Sequence, residues 1–372
     1  RMRVVVLGGY APALIRFRGD LIADMVRAGH DVVACAPGAD PEVAAGLRAR
    51  GARYEPVRMD RAGTNPAADL STVLGLRRLF KRLRPDLVFT YTSKAVIYGS
   101  GAARLAGVPR IFPMITGLGY AFIDGRELKR RILRKTKAAL YRASLACCRS
   151  VFFQNQDDLD EFRRLGIVSE RQQLIRVDGS GVDTDYYGFA RPQPEPPTFL
   201  LIARLLHDKG IVEYAEAARR LRAQFPQARF QLLGPLDDNP SAVAASELDR
   251  WRAEGVDYLG AAEDVRPYLR ASSVYVLPSY REGMPRTVLE AMATGRAIIT
   301  TDTPGCRDTV VPGANGYLVP VRDADALATA MRRFIERPDL AVSMGARSRE
   351  IAVQRFDVRR VNAVMLKAMD LL

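Results

Sequence analysis

Two runs of short hydrophobic segments, each alternating with helical segments, constrain the fold of this chain more than any other feature. The first run contains VVVLG (4–8), VVACA (32–36), LVFT (87–90), RIFPM (110–114) and SVFFQ (150–154). The second contains TFLLIA (198–203), RFQLLG (229–234), VDYLG (256–260), SVYVLP (273–278) and AIITTD (297–302). Hydrophobic strands that alternate with helices form parallel sheets with crossover helices. The chain is therefore predicted to be an α/β protein of two Rossmann-like parallel-sheet domains.

A proline-rich segment separates the two runs. Residues 191–197 read RPQPEPP, and four prolines in seven residues continue neither a helix nor a central strand. We place the domain boundary there, with a first domain at 1–190 and a second at 191–356. The last helix, about 357–372, lies beyond the helices that are needed to cover the second sheet. We expect it to pack back on the first domain. Ligands of such sheets bind beyond the carboxyl ends of the strands, so we expect the site in a cleft between the domains.

Positive charge is concentrated in the first half. The formal net charge is +14, and residues 1–190 hold 31 Lys and Arg against 19 Asp and Glu, whereas the remainder holds 25 against 23. This asymmetry indicates that the first half faces an anionic partner, which from charge alone is membrane phospholipid, a phosphorylated substrate or nucleic acid.

Hydropathy and cysteine usage favour the cytoplasm. No apolar run reaches the ~18 residues that a spanning helix needs, and the sequence begins directly in a strand. The four cysteines, Cys35, Cys147, Cys148 and Cys306, show no CxxC spacing and no partner histidines. This usage fits a reducing compartment and argues against structural zinc.

Three strand-to-helix turns carry candidate ligand contacts. Gly8 and Gly9 follow the first strand, and glycines there allow backbone amides to approach a phosphate or sugar. A nicotinamide site is disfavoured because VVACAPG ends without the carboxylate that binds ribose. The segment ARLLHDKG (203–210) brings Arg204 and Lys209 to a helix start, where they can neutralise a departing nucleoside diphosphate.

The third turn is SYREGMPRTVLE (279–290), which carries two glutamates eight positions apart. Glu282 lies in a glycine-containing loop, and Glu290 lies about one turn into the following helix. Carboxylates at this mouth accept hydroxyl hydrogen bonds, which suits sugar and ribose diols.

Two DxD segments and two histidines do not fit metal or triad chemistry. Asp183–Asp185 precedes the linker, and Asp323 starts a helix, where an acid acts as a cap. His30 and His207 are the only histidines, and both are interpreted as loop residues. We therefore expect neither a metal ion nor another cofactor.

The basic segment RELKRRILRKTKAALYR (126–142) holds eight Lys and Arg against one Glu, with apolar residues among them. It fits a solvated basic helix or a basic amphipathic helix on an anionic membrane surface. Membrane contact is assigned to five of its cations: Lys129, Arg130, Arg131, Arg134 and Lys135.

Together, ARLLHDKG, the spacing from Glu282 to Glu290 and AIITTDTPGCRDTVVPGANGYLVP (297–320) resemble the family-four glycosyltransferases of the GT-B fold. The resemblance covers nearly the whole chain. TGLGY (116–120), DDNPS (237–241) and YLGA (258–261) are most similar to bacterial enzymes that extend undecaprenyl-diphosphate-linked sugars. The resemblance implies a retaining, metal-independent enzyme. It would take a nucleotide-sugar donor, in particular a UDP-sugar, and a polyprenyl-diphosphate-linked saccharide acceptor, on the inner face of the plasma membrane.

The resemblance also implies roles for individual residues. Arg204 and Lys209 would hold the donor diphosphate, Glu290 the ribose and Glu282 the hexose hydroxyls. The other implied donor contacts are Gly9, Tyr258, Leu259, Gly283, Met284 and Pro285. On the acceptor side they are Lys94, Thr116 and Gly117. The histidine that many relatives carry in this acceptor region has no counterpart here.

Two other functions stay open from the sequence. A nucleotide-sugar epimerase of the same fold would turn over its donor without an acceptor. A basic nucleic-acid-binding protein would fit the charge, but the chain has no RNA or DNA motif and we expect no nucleic-acid partner.

Overall fold

The computed structural model describes residues 1–60, 65–119, 122, 128–193, 195–239 and 241–372, with the side chains of residues 129 and 130 excepted. The chain divides into two compact units. The N-terminal unit comprises Arg1–Ser180 together with Arg360–Leu372, and the C-terminal unit comprises Gly181–Arg359.

The N-terminal unit is built on a seven-stranded parallel sheet of order β3-β2-β1-β4-β5-β6-β7. Its strands are β1 (Arg3–Leu7), β2 (Asp31–Pro37), β3 (Arg53–Val57), β4 (Leu87–Tyr91), β5 (Arg110–Ile115), β6 (Ser150–Phe153) and β7 (Gln173–Arg176). Its helices are α1 (Ala11–Arg16), α2 (Gly19–Arg27), α3 (Pro41–Ala49), α4 (Pro66–Leu83), α5 (Ser100–Ala106), α6 (Leu128–Leu145), α7 (Gln156–Arg164) and, last in the chain, α14 (Val358–Ala368). Helices α4 to α7 cover one face of the sheet, and α1, α2, α3 and α14 cover the other.

The C-terminal unit repeats this plan with a six-stranded parallel sheet of order β10-β9-β8-β11-β12-β13. Its strands are β8 (Thr198–Ile202), β9 (Arg229–Leu233), β10 (Val256–Tyr258), β11 (Val274–Leu277), β12 (Ala297–Thr301) and β13 (Gly316–Val319). Its helices are α8 (Ile211–Gln224), α9 (Ala245–Ala253), α10 (Arg266–Ala271), α11 (Arg286–Thr294), α12 (Ala324–Glu336) and α13 (Asp339–Ile351). Helices α8, α9, α12 and α13 pack on one face, and α10 and α11 on the other.

Polar side chains mark the starts of several helices. Asp40 accepts hydrogen bonds from the first amides of α3, and Asn155 and Asp323 do the same for α7 and α12. Such caps satisfy amides that have no partner inside the helix. The expected capping role of Asp323 is confirmed.

The strand order of each sheet reverses at one place. In the N-terminal unit, β1 pairs with both β2 and β4; in the C-terminal unit, β8 pairs with both β9 and β11. Neighbouring crossovers then leave in opposite directions and open a crevice at the carboxyl ends of these strands. The loops after β1, β4, β8 and β11 are therefore the places where this fold binds ligands.

The division between the units falls earlier than the predicted boundary. Residues from Gly181 onward pack with the C-terminal unit: the Val182 amide donates to Phe356 and the Ala190 amide to Thr294. The proline-rich segment therefore lies within that unit. The last helix returns to the N-terminal unit, where Val361, Met365 and Leu366 are buried against its sheet.

Candidate active site

A lysine and a glutamate meet at the reversal point of the C-terminal sheet. Lys209 ends a short 3₁₀ turn (His207–Lys209) after β8, and Glu282 lies in the loop after β11. The Lys209 ammonium donates to Glu282 Oε1 at 2.5 Å, and the Ser279 hydroxyl donates to the same oxygen at 2.6 Å. Two residues separated by 73 positions in the sequence are thus joined where the fold binds ligands.

Backbone geometry draws the two loops together. The Tyr280 amide donates to the Asp208 carbonyl at 2.8 Å. Gly210 has a φ of +73°, and a Cβ there would lie 2.0 Å from the Pro278 carbonyl oxygen. Only glycine permits this approach, so Gly210 allows the start of α8 to sit against the end of β11.

The pair keeps Lys209 charged although most of its side chain is shielded from solvent. Burial acts to lower the pKa of Lys209, but the adjacent Glu282 carboxylate overcomes it, and the pKa is raised overall. The Lys209 ammonium therefore stays positively charged at the carboxyl end of the C-terminal sheet, where it can bind a phosphate.

Arg204 lies in the same loop, and its ion pair is more exposed to solvent than that of Lys209. Its guanidinium donates to Asp237 Oδ2 at 3.0 Å, and half of its side chain is exposed. An exposed ion pair of this kind contributes little stability, so a diphosphate can replace the carboxylate at small cost. His207 fixes the neighbouring loop, because its two ring nitrogens lie 3.0 Å from the Ser241 carbonyl and 3.1 Å from Glu247.

Glu290 is held inside α11. Its side chain is buried, Arg286 donates to it at 3.3 Å, and Tyr187 contacts it through its hydroxyl. Burial and the Glu290 charge together raise the pKa of Tyr187. The carboxylate is thus oriented by neighbours on both sides before any ligand arrives.

The other predicted donor contacts of this unit lie in the loop after β11 and at the end of β10. Gly283 is buried; Met284 packs against the apolar core beneath α11; and Pro285 immediately precedes that helix. Tyr258 ends β10, and its hydroxyl donates to the Gly234 carbonyl at 2.8 Å. The Leu259 amide donates to Leu232.

The reversal point of the N-terminal sheet holds Gly9 and a strained threonine. A Cβ on Gly9 would lie 2.5 Å from Thr92 Oγ1, so any larger residue there would force the Thr92 side chain to move. Thr92 has a φ of +72°, which is rare for a β-branched residue and is typical of ligand sites. Among the described residues, the hydroxyls of Tyr91 and Thr92 have no hydrogen-bond partner.

The predicted acceptor-side residues are separate features of this unit. Lys94 pairs with Asp69 at 3.1 Å, and Tyr98 donates to the same carboxylate, so the Lys94 charge is already compensated. Thr116 and Gly117 follow β5, and Gly117 has a φ of +116°.

The described part of the basic segment lies in α6, which runs from Leu128 to Leu145. Arg131 and Lys135 are exposed, as are the apolar side chains of Leu128 and Ile132. Arg134 is half-buried and pairs with Glu161 at 2.5 Å. Lys129 and Arg130 belong to the helix, but their side chains lie outside the described residues.

The DxD segments make structural contacts. Asp183 accepts from the amides of Asp185 and Tyr186, and both aspartates pair with Arg359. Within the described ranges, no three His, Cys, Asp or Glu side chains cluster as metal ligands, and no helix is long and apolar enough to cross a membrane.

Several partners of the site were not predicted from the sequence. Ser279 stands inside the quoted glutamate motif, but nothing in its residue type signals the contact with Glu282. Asp237 and Tyr187 lie far from Arg204 and Glu290 along the chain. Their contacts follow only from the order of the strands.

Two Rossmann-like units, the second with a cation–glutamate site at its reversal point, define a glycosyltransferase of the GT-B fold, and the chain belongs to this class. Residues 15–178 match the glycosyl transferase 4-like domain, and residues 196–337 match the glycosyl transferases group 1 family. The predicted class and fold are therefore confirmed.

Among curated relatives, the chain is similar to the N,N'-diacetylbacillosaminyl-diphospho-undecaprenol α-1,3-N-acetylgalactosaminyltransferase of Campylobacter jejuni. The two are 27% identical over 99% of this chain and 98% of that protein. It is also 27% identical to the Escherichia coli UDP-Gal:α-D-GlcNAc-diphosphoundecaprenol α-1,3-galactosyltransferase, over 80% of this chain and 78% of that one.

Solved structures share the fold. Sucrose-phosphate synthase from Thermosynechococcus elongatus superposes with a TM-score of 0.81 at 19% identity, over 99% of this chain and 98% of that one. HepE from Anabaena, solved with UDP, gives a TM-score of 0.78 at 17% identity over the full length of both chains.

Proposed function

We propose that this enzyme transfers a hexose or N-acetylhexosamine from a UDP-sugar to a polyprenyl-diphosphate-linked saccharide, with retention of configuration. The contact between Lys209 and Glu282 carries the proposal. The Lys209 ammonium, which would meet a leaving diphosphate, lies beside the Glu282 carboxylate, which would accept from sugar hydroxyls, in loops of the kind where this fold binds ligands. The names of the two curated relatives support the lipid-linked acceptor and, for the second, the UDP donor.

The donor diphosphate would be held by Arg204 and Lys209. Breaking the bond from sugar to phosphate places negative charge on the departing UDP, and two fixed cations stabilise that charge more in the transition state than in the ground state. Lys209 is already oriented by Glu282, so little reorganisation is needed. Arg204 would exchange Asp237 for phosphate oxygens.

The two glutamates would hold hydroxyls. Glu282 shares Oε1 with Lys209 and Ser279, which leaves its other carboxylate oxygen to accept from the donor sugar. Glu290 would accept from the ribose, and the Tyr187 contact would keep its carboxylate in one orientation. Both contacts position the anomeric carbon relative to the diphosphate.

The enzyme would work at an anionic membrane surface, because its acceptor is lipid-linked. The exposed cations and apolar side chains of α6 supply a surface of the right chemistry, with positive charge for phospholipid headgroups and Ile132 for the interface. We therefore propose a peripheral location on the inner face of the plasma membrane.

A donor screen tests the function. UDP-hexoses and UDP-N-acetylhexosamines would be offered with extracted polyprenyl-diphosphate-linked saccharides, and the products read by mass. We expect one sugar to be added from a UDP donor only when the acceptor is present. Donor conversion without acceptor would instead identify an epimerase and contradict the proposal.

A further inference from the structure

Lys137 is a cation that the proposed donor chemistry does not use. It lies on α6, and its ammonium reaches the loop after β5, 3.4 Å from the Leu118 carbonyl oxygen. Gly119 has a φ of +69°, and among the described residues a Cβ there would meet only the Lys137 ammonium within 4 Å. The described part of the chain therefore leaves space beside the charge.

The position of α6 directs this lysine to the carboxyl edge of the N-terminal sheet. Tyr141, one turn later on the same face of α6, donates to Ser93 Oγ at 3.0 Å. Ser93 follows β4 and Leu118 follows β5, so the two side chains point to neighbouring loops at the edge where ligands of such sheets bind.

The charge of Lys137 has no acidic partner among the described residues. Three carboxylates near α6 within the described ranges have other partners: Glu161 pairs with Arg134, Asp69 pairs with Lys94, and Asp158 accepts from Asn155. Burial alone acts on the ammonium, and it lowers the pKa of Lys137 to about 8. A cation that is mostly shielded from solvent and bonded only to a carbonyl oxygen destabilises the folded state, and an anion bound to it offsets that cost.

We propose that Lys137 binds the diphosphate of the lipid-linked acceptor. The proposal rests on the proposed function, since it names the group that the acceptor would present to this loop. An ammonium with open space beside it suits a phosphate oxygen, and the resulting hydrogen bond is charge-assisted. The donor diphosphate would be bound by Arg204 and Lys209, so the donor and acceptor diphosphates would each bind to different cations.

The test compares two acceptors that differ only in charge. One is the saccharide on a short, water-soluble prenyl diphosphate; the other is the same saccharide on a neutral alkyl chain. For Lys137→Met we expect KM for the diphosphate acceptor to rise ~10- to 100-fold, the range for a hydrogen bond to a charged group. KM for the neutral acceptor and inhibition by UDP should stay unchanged.

Two further variants separate binding from folding. Lys137→Arg keeps the charge and should recover part of the diphosphate selectivity, whereas Lys81→Met removes an exposed lysine of α4 and should change nothing. An equal loss on both acceptors, or weaker inhibition by UDP, would overturn the assignment of Lys137. If the wild type used only the neutral acceptor, both this assignment and the proposed lipid-diphosphate acceptor would fall.

Discussion

At the scale of single residues, the contact between Lys209 and Glu282 links the two halves of the donor chemistry. The Glu282 carboxylate accepts from the Lys209 ammonium and raises the pKa of Lys209, so the charge and orientation of the lysine depend on the glutamate. Loss of either partner leaves a half-buried charge uncompensated, which is costly in itself. The stability of each variant must therefore be measured beside its activity.

Loss of Glu282 or Glu290 should reduce turnover severely. Alanine at either position removes hydroxyl contacts inside the site, and we expect kcat/KM to fall at least ~100-fold, about 2.7 kcal/mol of transition-state stabilisation. Glu263→Ala is the matched control, since Glu263 is an exposed acid of the same unit. Near-normal kcat/KM in both site variants would show that the site lies elsewhere.

Arg204→Ala should weaken binding of the leaving group. Because the guanidinium would grip the diphosphate, we expect the inhibition constant of UDP to rise ~10-fold or more, as for a lost charge-assisted hydrogen bond. Arg250→Ala removes an exposed cation of α9 and serves as control. Unchanged product inhibition by UDP in the Arg204 variant would refute the assigned role.

The lowered pKa of Lys137 predicts a pH dependence of stability in the enzyme without ligand. The folded state loses its proton near pH 8, whereas the unfolded lysine keeps it until about pH 10.4. Between these values the unfolded state binds more protons, so the free energy of unfolding rises with pH. Denaturant titrations should show the wild type gaining stability relative to Lys137→Met from pH 7.5 to 9.5. If the difference in the free energy of unfolding between wild type and Lys137→Met stayed constant with pH, burial of the ammonium would not destabilise the folded state.

The residue types of the site were predicted more readily than their partners. Arg204, Lys209, Glu282 and Glu290 stand in short motifs next to strands, and their local placement is visible in the sequence. Lys137 was not singled out from the sequence, because it is one of eight cations in the basic segment and composition does not show which of them is shielded from solvent. Long-range pairing depends on strand order, and that is set by packing of the whole unit.

At the scale of elements, the ten strands of the two hydrophobic runs are confirmed, and the three that were not predicted lie at the edges of the sheets. β3, β7 and β13 are short strands with partly exposed residues. Such strands lack the continuous hydrophobic run of a central parallel strand. The pattern that reveals the buried strands therefore misses three of the four edge strands, and β10 is the edge strand that it finds.

Helix α6 should bind anionic membranes through its exposed residues. Arg131→Gln with Lys135→Gln should weaken binding to phosphatidylglycerol vesicles several-fold, since each basic residue near such a surface contributes up to about 1 kcal/mol and salt screens it. Neutralising Arg222 and Arg250, two exposed cations of the C-terminal unit, makes the same charge change and should have little effect. Vesicle sedimentation at two salt concentrations measures both. Equal binding to phosphatidylcholine vesicles would contradict an electrostatic contact.

At the scale of the whole molecule, charge and chemistry divide between the two units. The N-terminal unit holds 33 Lys and Arg against 18 Asp and Glu, whereas the C-terminal unit holds 23 against 24. The nearly neutral unit contains the proposed donor site, where a few cations act locally. The basic unit contains α6 and Lys137, which would meet an anionic membrane and an anionic acceptor. The excess charge thus lies in the unit that would meet these phosphate-bearing partners.

The anomeric configuration of the product tests the roles proposed for the two units. An inverting enzyme needs a base on the acceptor side, but Thr116 and Gly117 occupy the region where many relatives carry a histidine, and Glu282 is engaged with Lys209. If the departing diphosphate itself takes the acceptor proton, while Arg204 and Lys209 stabilise it, no such base is required and the new bond forms on the face that the leaving group vacates. An α-linked donor should then give an α-glycoside. The anomeric coupling in the NMR spectrum of the purified product measures this directly. A β-linked product from an α-donor would exclude the front-face path, because the acceptor must then attack from the face opposite the diphosphate and cannot pass its proton to the departing group.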